Sequence, residues 1–153
     1  MNLIEHKKAR LNYEILEELE AGLQLLGHEV KSLRARHGKL EGSHIVVRPS
    51  GRAGGHEAYI VGMSVPPYQP ANVAKDYEPE RTRKLLVNKK ELAKLSDAEG
   101  QKGLTVVPLA VYNKGSKLKV RIAIARGRKV YDKRNVLKER DTKRDIQRTL
   151  KNQ

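Results

Sequence analysis

Between residues 117 and 124 apolar and polar side chains alternate: Leu118, Val120, Ile122 and Ile124 interleave with Lys117, Lys119, Arg121 and Ala123. A period of two is that of a strand with one face buried. The preceding stretch, Leu104–Tyr112, is rich in β-formers, and Asn113-Lys114-Gly115-Ser116 supplies turn residues, so the two predict a hairpin. Pro108 has no N–H to donate to a ladder, which predicts an edge or a bulge at that position.

Nearer the N-terminus, Leu19, Ala21, Leu23 and Leu25 alternate with Glu18, Glu20, Gly22 and Gln24. Ile15, Leu16, Leu19 and Leu23 also suit a helix, but Gly22 and the alternation around it favour a strand. Leu26, Val30 and Leu33 recur at i, i+4, i+7 between Gly27 and Gly38, predicting a short amphipathic helix with Gly38 as its left-handed stop. His44–Arg48 and Ala58–Val65 read as strands around the Gly-rich loop Ser50–Gly55. Pro66, Pro67, Pro70 and Pro79 mark a long connection. Arg83–Val87 reads as a short strand, after which Asn88 precedes Glu91 at capping-box spacing and opens a helix with Leu92 and Leu95 on one face. Short strands with two short helices predict a mostly β fold class, a small OB-like barrel over residues 1–125.

Residues 126–153 break this pattern. They hold 11 Lys/Arg against 4 Asp/Glu, and after Tyr131 their large apolar residues are Val136, Leu137, Ile146 and Leu150. So few apolar side chains do not offset about 1–2 kcal/mol of backbone entropy per ordered residue. The expectation is a basic C-terminal tail, disordered when free, that becomes helical where phosphates neutralise its charge.

Composition then narrows the partners. The 153 residues suit one domain, and 32 Lys/Arg against 18 Asp/Glu give a formal charge of +14, which favours a polyanion such as nucleic acid. Cysteine is absent, excluding disulfides and thiolate chemistry. The best apolar run, Leu104–Val111, is interrupted by Thr105 and Pro108, so a cytoplasmic protein with no membrane partner is expected.

Catalytic motifs are missing. The Gly-rich loop lacks the Gly-Lys-Ser/Thr of a phosphate loop, and His6, His28, His37, His44 and His56 show no zinc-hydrolase spacing, so neither cofactor nor metal is expected. His28 and Glu29 offer an acid–base pair for RNA cleavage only on paper, because neighbours on a helix point about 100° apart. There is no Phe or Trp. Tyr13, Tyr59 and Tyr112 sit where core packing accounts for them, which favours recognition of a folded RNA's backbone and shape over base stacking.

Several blocks carry a resemblance. KKARLNYEILEELEAGLQLLGHEVKSLRA, PERTRKLLVNKKEL, GLTVVPLAVY, KVRIAIARGRKVYDKR and KERD, spread from Lys7 to Leu150, closely resemble the SsrA-binding protein (SmpB) family. The resemblance implies an OB-type barrel and a monomeric, non-enzymatic factor. Such a factor binds the tRNA-like domain of transfer-messenger RNA (tmRNA) and brings it to stalled 70S ribosomes for trans-translation, with elongation factor Tu engaged through alanyl-tmRNA. It also implies RNA-binding roles for Glu20 in EAG, Leu86 in RKLL and Lys119 after the second hairpin turn. His6 stands where the family usually has Asn. The tail motif, Asp132, Lys133 and Arg134 followed by Lys138, Arg140, Lys143, Arg144 and Ile146, is implied to enter the empty mRNA channel against 16S ribosomal RNA. Composition alone leaves two other classes open, a structural ribosomal protein and an RNA-cleaving enzyme.

Overall fold

The computed structural model describes residues 2–51, 55–128 and 130–151. The predicted hairpin forms its longest pairing, β6 (Leu104–Lys114) with β7 (Lys117–Gly127), in register from Leu104↔Arg126 to Lys114↔Lys117. The register slips between Pro108 and Ala110, a bulge where the proline requires one. Past that bulge the free edge of β6 takes up β1 (Asn2–Glu5), and the His6 N–H donates to the Leu109 carbonyl at 2.8 Å.

The alternating N-terminal segment is a strand, β2 (Tyr13–Leu23), reached through a one-turn helix α1 (Ala9–Asn12). With β3 (His44–Pro49), β4 (His56–Val61) and β5 (Arg83–Leu86) it completes a seven-stranded antiparallel sheet ordered β1-β6-β3-β4-β5-β2-β7. Because β7 also pairs with β6, six of these strands close into a ring and β1 lies outside it. β4 stops at Val61, four residues short of the expected strand, because Gly62 turns the chain at φ 86°.

Inward positions follow the predicted alternation. Ile45, Ile60, Leu85, Val106, Val111, Val120 and Ile122 meet in the ring, joined by Leu33 of α2 (Gly27–Arg34) and Leu95 of α3 (Lys89–Glu99). Each fully buried side chain of this kind contributes about 1.5–3 kcal/mol. Asn88 caps α3 as its spacing predicts, accepting from the Glu91 N–H at 2.8 Å. On the other face of β6 and β7, Val107, Leu109, Ala123 and Ala125 form a smaller cluster with Ala9 of α1.

The stop of α2 differs from expectation. Arg36, not Gly38, takes the left-handed conformation at φ 65°, and the His37 N–H closes back onto the Ser32 carbonyl at 2.9 Å. Gly38 is there for room: a Cβ on it would stand 3.0 Å from Leu33 Cδ2 and 3.2 Å from Ile4 Cδ1.

The Pro-rich connection is pinned by a buried charge cluster. Glu29 of α2 is fully buried and takes Arg83 Nε at 2.8 Å, Arg81 Nη2 at 2.5 Å, Arg81 Nε at 3.0 Å and the Leu26 N–H at 2.8 Å. The Tyr77 hydroxyl lies 2.9 Å from the same carboxylate. Arg83, also fully buried, donates onward to the Met63 and Pro79 carbonyls, both at 2.8 Å. Burial pushes the Glu29 carboxyl up, but the bonds from Arg81, Leu26 and Arg83 outweigh it and bring its pKa down to about 2. Arg83 opens β5, so this cluster fixes the strand that carries Leu86.

The chain is mixed α/β rather than mostly β, because the tail is not disordered but a 22-residue helix, α4 (Val130–Lys151). The entropy argument underrated a segment with neither Gly nor Pro and many good helix formers, whose summed propensity sustains a helix without a wide apolar face. Among its described side chains the half-buried ones, Lys133, Val136 and Arg140, fall in its first half at helical spacing. Asn135, Val136 and Glu139 line a cleft with Glu14 and Arg126. No helix among the described residues is long and apolar enough to cross a membrane.

Candidate nucleic-acid interface

β2 is flanked by β5 and β7, and Gly22 is in register with a residue on each side, Leu86 and Lys119. Residues two apart on a strand share a face. Glu20 and Gly22 of β2, Lys119 and Arg121 of β7, and Lys84 and Leu86 of β5 therefore project outward together, away from Ala21, Val120 and Leu85 in the core. A Cβ on Gly22 would stand 3.2 Å from Leu86 Cβ and 3.6 Å from Lys119 Nζ. The apolar and the cationic side chain thus meet over bare backbone.

Leu86 is 56% exposed whereas its neighbour Leu85 is 2% exposed, so one leucine of the pair is presented to solvent while the other packs inside. Glu20 is not a merely solvated residue. One of its oxygens accepts from the Tyr112 hydroxyl, the other from Lys114 Nζ at 2.9 Å. The Tyr112 bond first, then the Lys114 bond and the charges of Lys114 and Lys119, hold its carboxyl below the usual range. Burial and then the Glu20 carboxylate push the Tyr112 phenol up to about 12. Glu20 is therefore a fixed anion, able to accept from base amino or imino groups and from ribose hydroxyls. Lys119 offers a cation of the kind a phosphate pairs with, and Leu86 an exposed apolar surface.

His6 lies farther along the same surface. Its Nδ1 is 3.3 Å from the Pro108 carbonyl oxygen, a contact that becomes a hydrogen bond when Nδ1 carries the proton. His6, Arg10, Ala110 and Arg121 line one cleft of about 190 Å³. The structure thus gathers Glu20, Leu86 and Lys119 around Gly22, with His6 beyond Arg121.

The tail residues stand apart from this cluster. Lys133, Arg134, Lys138, Arg140, Lys143, Arg144 and Ile146 lie along α4, which begins beside the Tyr13 end of β2, opposite Gly22. Only Lys133 and Arg140 among them are half-buried; the rest are exposed. The side chain of Asp132 lies outside the described residues, as do residues 52–54 of the Gly-rich loop. His28 and Glu29 form no acid–base site, since Glu29 is consumed by its arginines and the His28 ring packs edge-on against Tyr77 at 4.5 Å.

Sequence reasoning missed Gly22, Tyr112 and Arg121. The alternation at 117–124 already put Arg121 beside Lys119 on the polar face. Tyr112 is buried as expected, but it also does more: outside the main core cluster, its hydroxyl is on Glu20 and its ring lies against the Arg121 guanidinium, 5.1 Å from ring centre to Cζ. Tyr59 turns to the outer face, its hydroxyl on Glu57.

Comparison with known proteins converges on one family. Residues 3–152 match the profile of the family described as SmpB protein. An SsrA-binding protein of Microcystis aeruginosa is 44% identical over 149 residues, spanning 97% of this chain and 93% of that protein. One of Lawsonia intracellularis is 45% identical, spanning 97% and 91%. A solved structure described as "tmRNA-SmpB: a journey to the center of the bacterial ribosome" is 42% identical with a TM-score of 0.65, covering 83% of this chain and 85% of that one.

Proposed function

The chain belongs to the SmpB family, and on that premise we propose that it binds the tRNA-like domain of tmRNA through the β2–β5–β7 face and delivers it to stalled ribosomes for trans-translation. It acts as a binding and delivery factor, not an enzyme. The observation that carries the assignment of the face is the meeting of Glu20, Leu86 and Lys119 around Gly22, three chemically different contacts on one outward surface.

The ring supports an OB-like description. Taken alone, β3, β4, β5, β7 and β6 follow one another around a barrel with α3 between its third and fourth strands in sequence, and β2 is an added strand between β5 and β7. The barrel grips the RNA. The helix α4, with its cations on all sides, enters the vacated mRNA channel and meets 16S ribosomal RNA phosphates through Lys133, Arg134, Lys138, Arg140, Lys143 and Arg144, with Asp132 and Ile146 part of the same segment. Elongation factor Tu joins through the alanyl end of the RNA, and the factor works as a cytoplasmic monomer.

The deciding experiment is pull-down from a bacterial lysate with sequencing of the RNA that co-purifies. One dominant RNA with a tRNA-like acceptor arm is the expected result; a mixture of ribosomal RNA fragments that persists through a salt wash would favour an integral ribosomal protein instead.

A further inference from the structure

Arg121 is opposite Glu20 in the β2–β7 register, where an acid and a base would ordinarily pair across the strands. They do not. The Glu20 oxygens are taken by Tyr112 and Lys114, and among the described residues Arg121 has no carboxylate within ion-pair distance. Of the other acids nearby, Glu18 is paired with Arg10 at 2.5 Å, while Glu5, bonded by Asn2 Nδ2 at 2.8 Å, keeps its charge and lines one cleft with Arg121, where Lys7 and Arg10 stand with it. Tyr112 does two things at once. Its hydroxyl draws the Glu20 carboxylate aside, and its ring supports the Arg121 guanidinium by a cation–π contact.

The result is a half-buried guanidinium without a counter-ion, lining the same cleft as His6. Ala110, the register partner of both Glu5 and Arg121, lines the cleft between them with a side chain of one methyl. A cleft of about 190 Å³ has room for an oxyanion the size of a phosphate, onto which Arg121 can direct a fork of N–H groups, with His6 on the cleft wall.

We infer that Arg121 grips a phosphate of the bound RNA in the cleft it shares with His6, and that Tyr112 is the positioning residue that keeps it from being neutralised by Glu20. This rests on the assignment of the β2–β5–β7 face to RNA and adds to it a second contact point, on the side of the face away from Leu86.

The test measures affinity of the full chain for a transcript of the tRNA-like domain of tmRNA across a salt series, with thermal melting as a check on folding. Arg121→Gln is expected to weaken binding about tenfold and to lower the slope of log K against log salt by about 0.7–0.9, the signature of one lost phosphate. Tyr112→Phe keeps the ring and every charge yet releases Glu20 onto Arg121, so the slope should fall by the same amount. The double variant Tyr112→Phe/Glu20→Gln should regain that slope, because the competing anion is gone. A purely structural role for Tyr112 predicts no such recovery and would overturn its assignment. If Glu20→Ala and Lys119→Ala weaken binding while Arg121→Gln leaves affinity and slope unchanged, the phosphate contact is refuted and the RNA face stands. If none of these variants alters binding, the face itself is misassigned. Should Arg121→Gln melt early, Arg121→Lys serves in its place: retained slope with a several-fold affinity loss supports a guanidinium grip, and unchanged affinity refutes it.

Discussion

Gly22 lies directly beside Leu86: the two are register partners across β2 and β5, and a methyl on Gly22 would reach within 3.2 Å of Leu86 Cβ and 3.5 Å of its Cδ1. An exposed leucine is thereby laid across a strand with no side chain to lift it. Gly22→Ala is expected to raise Leu86 and crowd Lys119, weakening binding of the tRNA-like domain several-fold. Stability should change by less than about 1 kcal/mol, since better strand propensity offsets the crowding. Parallel binding titrations and thermal melts check this. A variant that melts far earlier yet binds normally would make Gly22 a packing residue only.

Glu20 and Tyr112 report on each other. Burial, the larger cause of the raised Tyr112 pKa, stays in place when Glu20 becomes Gln, but the carboxylate that also holds the phenol proton is gone, so the pKa should fall part of the way from about 12. Ultraviolet absorbance titration resolves this against the other tyrosines. Glu20→Ala should weaken RNA binding while the barrel stays folded, because the residue points away from the core.

Glu29 predicts an acid limit. Its folded pKa, about 2, lies below the ordinary value of 4.5, so its stabilising contribution is complete above pH 4.5 and is lost as the pH falls toward 2. The depression corresponds to roughly 3 kcal/mol. Glu29→Gln should flatten the stability curve across that acid window. At neutral pH it should cost about 3–5 kcal/mol, because Arg83 is left buried without its counter-charge. Denaturant melts from pH 2 to 7 measure both.

How much of this was legible depends on the distance over which each element is determined. The β6–β7 hairpin, the α3 cap and the bulge at Pro108 are local, set by alternation, an Asn–Glu spacing and a missing N–H. β1 and α1 were not legible: four residues each carry too little pattern, and they exist because β6 offers an open edge and Ala123 and Ala125 a shallow seat. The Glu29 cluster joins residues 52 and 54 positions apart, and nothing local marks a glutamate on a short helix as buried. Lys119 could be put on the polar face from its period, whereas Gly22 and Tyr112 gained their meaning only once β2 was set between β5 and β7.

Removing everything after Gly127 should leave affinity for the tRNA-like domain within a few-fold of the full chain, since α4 begins at the opposite end of β2 from Gly22. Helical circular dichroism should fall by about half, because α4 is the longest helix, and tagging of stalled nascent chains should cease. A tenfold loss of RNA affinity would mean that the helix contributes to the grip.

Salt should govern the interaction. If the barrel neutralises about five phosphates, log K should fall with log salt at a slope of about −3.5 to −4.5. A flat response would point instead to recognition by the carboxylate and the leucine, with the cations idle.

β2 is the seam at which the ring joins β5 to β7, and it is also the strand that holds Glu20 and Gly22 outward. The proposed recognition face is thus carried by the keystone of the arch. Substitutions that reach its inner side, at Leu19, Ala21 or Leu23, threaten the masonry, whereas those confined to outward atoms retune the grip. A designer seeking an altered RNA preference therefore has few stones to recarve, and every one of them is on the façade.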